Sequence, residues 1–148
     1  MKQNKWLIPV AVGLVVLFAV LCFALFFSTP VRPRLEYYAE AGNYITAAGT
    51  VRHLGWGPDQ SYVYIAFDDI PEEYSDTNFV IEGENLRIVL ENGFAEKVKL
   101  GSEVIYISAP RYFWDGYSMP IVELSVDGEV LLSFAEGKGN LLNFIRGD

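Results

Sequence analysis

The sequence predicts a mainly β protein: a small β-barrel with one or two short helices, preceded by a single transmembrane α-helix. Three observations point there. An uncharged apolar run of 23 residues, Trp6 to Ser28, stands near the N-terminus. The 120 residues from Thr29 to Asp148 break into short segments rich in β-branched and aromatic residues, separated by Gly, Pro, Asn and Asp. Within that region only two stretches carry helical spacing.

The apolar run "WLIPVAVGLVVLFAVLCFALFFS" is long enough to span a bilayer. As a helix it measures about 35 Å, against a hydrocarbon core of roughly 30 Å. Pro9 falls in its first turns, where the missing N–H costs least, and Gly13 is tolerated in lipid-spanning helices. The apolar stretch exceeds the core of a secretory signal, and no small-x-small cleavage site follows it. Cys22 is preceded by bulky Leu21, against the small residue a lipidation motif needs. The expectation is an uncleaved anchor at the cell membrane. The short basic tail of residues 1–5, with Lys2 and Lys5, favours a cytoplasmic N-terminus and a C-terminal domain outside; Arg32 and Arg34 on the far side weaken that bias. Cys22 is the only cysteine, so the remainder of the chain has no intramolecular disulfide.

Residues 29–43 are expected to form a stalk, kept extended by the prolines of "STPVRPR", and residues 44–148 the barrel domain. The first strand is expected at Tyr44 to Leu54, with a bulge or sharp bend at Gly49. "GWGPDQ" makes a turn, and "YVYIAF", Tyr62 to Phe67, a second strand. After the acidic connection "DDIPEEYSD" a short strand surrounds Phe79 to Ile81. "GENLRIVLENGF" has Leu86, Val89 and Leu90 at helical spacing with Asn92-Gly93 as its stop; a strand competes, because Ile88 and Val89 are β-branched. A strand begins at Glu103, and "PIVELSVDGEVLLSF" reads as a hairpin with a type I′ turn at Asp127-Gly128. "EGKGN" then reads as a flexible lead into a short helix, "NLLNFI", with Leu141, Leu142 and Ile145 inward.

Many short strands with one helix between the third and fourth resemble an OB-fold, a five-stranded Greek-key barrel. The likeness covers Tyr44 to Phe134 and rests on element order and the glycine-bent first strand; a different small β-barrel or an open α+β sheet satisfies the same string. "GENLRIVLENGF", "ISAPRYF" and "MPIVELSVDGEVLLSF" also look like segments of small membrane-anchored proteins of uncharacterised function in Gram-positive bacteria. That second likeness brings no activity with it.

Charge narrows the partners. All nineteen Asp and Glu lie beyond the apolar run, against nine Lys and Arg there. Nucleic acid is disfavoured, since its affinity comes largely from cationic residues displacing counterions; anionic lipid headgroups are disfavoured likewise. No cofactor is implied, because no glycine-rich phosphate loop is present. His53, the only histidine, has no recognisable nucleophile motif beside it and reads as structural or partly exposed. One histidine without a second ligand type is a poor zinc set. The acidic run Asp68, Asp69, Glu72, Glu73 and Asp76 is a weak calcium candidate that lacks the EF-hand pattern and is interrupted by Pro71; its default reading is a solvated loop.

A binding site is more legible than a catalytic one. "APRYFWDGYSMP", Ala109 to Pro120, puts unusual aromatic surface into a loop. The OB-fold likeness implies a ligand face on strands two and three, flanked by the loops after strands one and four. It implicates Trp56, Tyr62 and Tyr64, with Arg111, Tyr112, Trp114, Asp115 and Tyr117 from the second loop. Both loops carry a Trp and are expected to meet at one mouth of the barrel. Two roles are open for the loop: an exposed recognition surface, or aromatic side chains folded back to plug the barrel end.

The functional expectation is a non-enzymatic, membrane-anchored binding or assembly module facing outward, taking a protein partner or an envelope polysaccharide. One alternative is an accessory subunit whose helix packs on a membrane complex through Ala11, Gly13, Ala19 and Ala24. Another is an envelope hydrolase using paired carboxylates.

Overall fold

The computed structural model describes residues 12–21, 31–75, 77–110 and 118–148. The chain divides into two compact units between Pro30 and Val31. In the first, residues 12–21 are helical and their apolar side chains, Val12, Val15 and Phe18 among them, are exposed. Among the described residues no helix is long and apolar enough to cross a membrane. The rest of the expected span, residues 6–11 and 22–28, lies outside the described residues, as does the basic tail.

In the second unit six strands form one sheet: β1 (Ile45–Trp56), β2 (Tyr62–Asp68), β3 (Asn78–Glu82), β4 (Glu103–Ser108), β5 (Ser118–Val126) and β6 (Glu129–Leu132). Their order is β3-β2-β1-β4-β5-β6, and a further pairing of β3 with β5 closes the first five into a barrel. That closing pair is parallel, while the others are antiparallel. The mainly β, closed five-strand architecture expected from the sequence is therefore present, and it is compatible with an OB-like barrel.

β1 serves two partners. Ile45–Thr50 pairs with β4 and Thr50–Trp56 with β2, so the strand turns a corner between them. The register slips between Val51 and His53, which places the bulge at Arg52 and not at Gly49. Gly49 does something else: a Cβ there would lie 3.0 Å from the Cβ of Phe67, so its absence lets β2 close in. The turn after β5 matches expectation, with φ of 50° at Asp127 and 78° at Gly128, the left-handed pair a type I′ turn requires.

Period-two alternation fills the barrel interior. Val63, Ile65 and Phe67 of β2 point in with Phe79 and Ile81 of β3, meeting Tyr106 and Leu124. Phe67 stacks on Tyr106 with centroids 4.4 Å apart, and Phe79 meets Tyr106 edge-on at 4.9 Å. Helix α2 (Gly83–Glu91) closes one end, followed by a single turn, α3 (Phe94–Lys97). The helical reading thus holds for this segment, ending at Asn92 with Gly93 in the left-handed region at φ 84°. Its inward face differs from the expected one: Asn85, Leu86 and Val89 are buried, while Leu90 is 41% exposed.

Two segments depart from the sequence reading, and they pack on each other. Val31–Ala39, expected as extended stalk, is a helix, α1, with Pro33 in its first turn where a missing N–H is harmless. Phe134–Arg146 is one continuous helix of 13 residues, α4, so "EGKGN" lies inside it. Ser133 caps α4 by accepting the Glu136 N–H at 3.4 Å, while its hydroxyl donates to the Glu136 carboxylate. That capping box, "SFAE", was the missed signal. Gly137 lets α4 press on β5, since a Cβ there would sit 2.0 Å from the Val122 carbonyl oxygen. Tyr38, Val122, Leu141 and Ile145 form a second apolar cluster outside the barrel, with Tyr44 and Phe134 packed against it.

Candidate functional site

The site is built by the outward-facing half of the same alternation that fills the core. With Val63 and Ile65 inside, Tyr62 and Tyr64 face out; with Phe79 and Ile81 inside, Asn78, Val80 and Glu82 face out. The ladder sets Tyr62 opposite Glu82 and Tyr64 opposite Val80, and the parallel pair sets Val80 beside Pro120 of β5. Leu141 of α4 reaches the same place. Together these residues line a groove of about 430 Å³.

Two glycines shape its aromatic wall. A Cβ at Gly55 would lie 1.9 Å from Cζ of Tyr64, and one at Gly57 would lie 2.2 Å from Cε1 of Tyr62. Each ring therefore lies against bare backbone of β1 and the turn after it, and both tyrosines line the groove. "GWG" is thus a seat for two tyrosines. His53, on the neighbouring position of β1, stands with its ring centroid 5.5 Å from that of Tyr64 and Nε2 3.4 Å from the phenol oxygen. It is exposed, has no carboxylate partner among the described residues, and packs beside Tyr64 without lining the groove itself.

A second recess of about 330 Å³ joins the first through Val80, Glu82, Pro120 and Leu141, and continues along α4 to Phe144 and Asp148. Its polar groups are mostly committed inward. Buried Asn85 donates to the Gly137 carbonyl at 3.2 Å and accepts from Asn140 Nδ2 at 2.9 Å, tying α2 to α4. Glu84 is held by Arg87, which lowers its carboxyl below the usual range. Glu82 is different: its carboxylate takes part in no ion pair or hydrogen bond among the described residues, and surrounding protein pushes the carboxyl above the usual range. Water still reaches it, so the shift reflects a carboxylate in a concave wall, not a sealed one.

Of the residues expected at the site, the structure brings Tyr62 and Tyr64 together. Trp56 does not line the groove; it is 44% exposed and meets buried Phe94 edge-on at 6.5 Å. Arg111, Tyr112, Trp114, Asp115 and Tyr117 lie outside the described residues. The stems of their loop are placed: Tyr38 donates its hydroxyl to the Pro110 carbonyl at 3.1 Å, and the loop rejoins the sheet at Ser118, on the rim of the groove. The expectation of one shared mouth falls on a loop that lies outside the described residues; only its stems are placed. The turn after β1 abuts Glu82 and the stem at Ser118 abuts Asn78, four strand residues or about 13 Å apart. The two loop stems flank the groove from opposite ends. Asn78, Val80, Glu82, Pro120 and Leu141 were missed; the alternation in "NFVIE" could have exposed three of them.

A larger recess, about 460 Å³, lies elsewhere, bordered by Gly49, Glu103, Ile105 and Asp127. It has no aromatic wall, and its carboxylates are exposed, so size alone does not make it the better candidate. Of the calcium candidates, Asp68, Asp69, Glu72 and Glu73 are exposed and Asp76 lies outside the described residues. Asp68 is turned to Arg52 at 3.7 Å, and among the described residues no group of three or more His, Cys, Asp or Glu is placed to hold a metal ion. No protein-family model matches the chain, and no curated protein matches it in sequence. What stands is a small closed barrel with an aromatic-walled groove on its outer face.

Proposed function

We propose that this chain is a non-enzymatic binding module, tethered to the cell membrane by residues 6–28 with its barrel outside, that captures a protein partner or an envelope polysaccharide in the β2–β3–β5 groove. One observation carries the reading: Tyr62 and Tyr64, seated over Gly57 and Gly55, both line one cleft. Rings ordered in advance lose little freedom when a ligand stacks on them. The tether rests on the uncharged run and on a helical segment, residues 12–21, that has no polar face to turn toward water.

The test is photo-crosslinking in native membranes, with a benzophenone amino acid replacing Tyr64 or, as control, the exposed Ile105 on β4. A specific adduct from position 64, absent from 105 and lost on Tyr62→Ala, is the expected result. Equal labelling from both positions, or none from 64, overturns the groove as the site. Digestion of the barrel by protease added outside intact cells is expected; full protection overturns the orientation.

A further inference from the structure

Glu82 is the point where the two recesses meet, and its surroundings specify more than a surface for stacking. Tyr62 stands opposite it on β2 and Tyr64 one outward position further along, so the carboxylate and two π faces border one volume. Neither recess is lined by Lys or Arg, so no described side chain of the groove supplies a countercharge. On either side the floor is apolar: Val80 and Pro120 in one direction, Leu141 and 58%-exposed Phe144 in the other.

Resting on the groove as binding site, we propose that its occupant is an extended polypeptide segment carrying one Lys or Arg between apolar residues. Glu82 is the counterion for that basic side chain, and Tyr62 and Tyr64 are its π walls. A carboxylate accepts hydrogen bonds from guanidinium or ammonium, and tyrosine faces attract the same cation. The flanking apolar side chains cover Leu141 and Phe144 on one side and Val80 and Pro120 on the other.

A polysaccharide fits less well. Sugars need paired donors and acceptors, and the second recess has three of its amides engaged: Asn85 and Asn140 with each other, Asn85 also with backbone carbonyls, and Asn143 with Arg146, which leaves Asn78 as the side-chain amide of the first recess. An acidic glycan would meet Glu82, Glu84 and Asp148 with no cation in the lining to receive it.

The experiment uses the full chain in neutral detergent over an array of capped heptapeptides with Arg, Lys, citrulline or Leu at the centre and varied flanks. The best binder is then titrated calorimetrically against wild type, Glu82→Gln and Tyr64→Ala. Binders are expected to be enriched in central Arg or Lys with apolar neighbours. Replacing Arg by citrulline, or Glu82 by Gln, weakens binding about tenfold or more, and the two changes together cost little beyond either alone. Binders indifferent to Arg against citrulline, or a Glu82→Gln variant that binds as tightly as wild type, overturn the cation inference while leaving the groove in place. If chitotetraose binds, no peptide does, and Tyr64→Ala abolishes that binding, the occupant is a glycan and the inference fails although the site stands. If no probe binds and position 64 yields no crosslink, both fail together.

Discussion

The two apolar clusters of the barrel unit are built on different rules. Inside the barrel, most side chains come from strands with a period of two, joined by Leu86 and Val89 of α2 and Phe94 of α3. Outside it, Tyr38, Val122, Leu141 and Ile145 come from two helices and the outer face of β5, assembled across more than one hundred positions of chain. The groove lies where these clusters adjoin: Tyr62, Tyr64 and Val80 are the outer row of strands whose inner row is the core, while Leu141 belongs to the helical cluster. The interior supplies a rigid platform, and the outer cluster supplies the wall that turns a flat sheet into a cleft.

If the interior carries the fold, deleting its stacked centre has the largest effect. Phe67→Ala removes a ring stacked on Tyr106 and tilted against Phe79, and is expected to cost about 3–5 kcal/mol in urea unfolding. A loss under about 1 kcal/mol breaks the assignment of Phe67 to a close-packed core. The outer cluster is tested next, with a pair of glycines on α4. Gly137→Ala drives a methyl into the Val122 carbonyl and is expected to cost about 1–3 kcal/mol, against helix propensity. Gly139→Ala meets nothing within 4 Å and is expected to stabilise by up to about 1 kcal/mol. Equal effects at both positions contradict the close approach of α4 to β5.

The smallest effect concerns the groove itself. A carboxyl whose pKa is raised in the folded state holds its proton more tightly there than in the unfolded chain. Its cost is therefore absent below the ordinary glutamate pKa and appears as pH rises through the higher folded value. Glu84, Asp148 and Tyr62 are the titratable groups nearest it, and Glu84 is neutralised by Arg87. Glu82→Gln is accordingly expected to be at least as stable as wild type at pH 7. The difference vanishes in thermal melts taken below the ordinary glutamate pKa. A variant less stable than wild type at pH 7 shows Glu82 to be a structural partner instead.

Local chemistry made much of this readable in advance. The strand runs, the Asp127-Gly128 turn and the Asn92-Gly93 stop each depend on neighbours a few residues away, and each is present in the structure. Tyr62 and Tyr64 could be named as one outward face for the same reason. The helix α1 escaped because prolines read as breakers, although Pro33 falls in a first turn that tolerates it. The helix α4 was shortened because Gly137 and Gly139 read as flexibility, when one of them is a contact surface for β5. Glu82 escaped because nothing about a lone glutamate at a strand end distinguishes it.

By itself the sequence determined the strand runs, the mainly β class and the uncharged segment, since periodicity and composition express those directly. Only the tertiary structure decided that β3 pairs in parallel with β5, that the glycines of "GWG" seat two tyrosines, and that Leu141 meets Val80 across a groove. The physical reason is separation along the chain. Propensity and spacing act over a few residues, whereas a cleft is made by side chains brought together when loop closure and packing are settled for the whole domain.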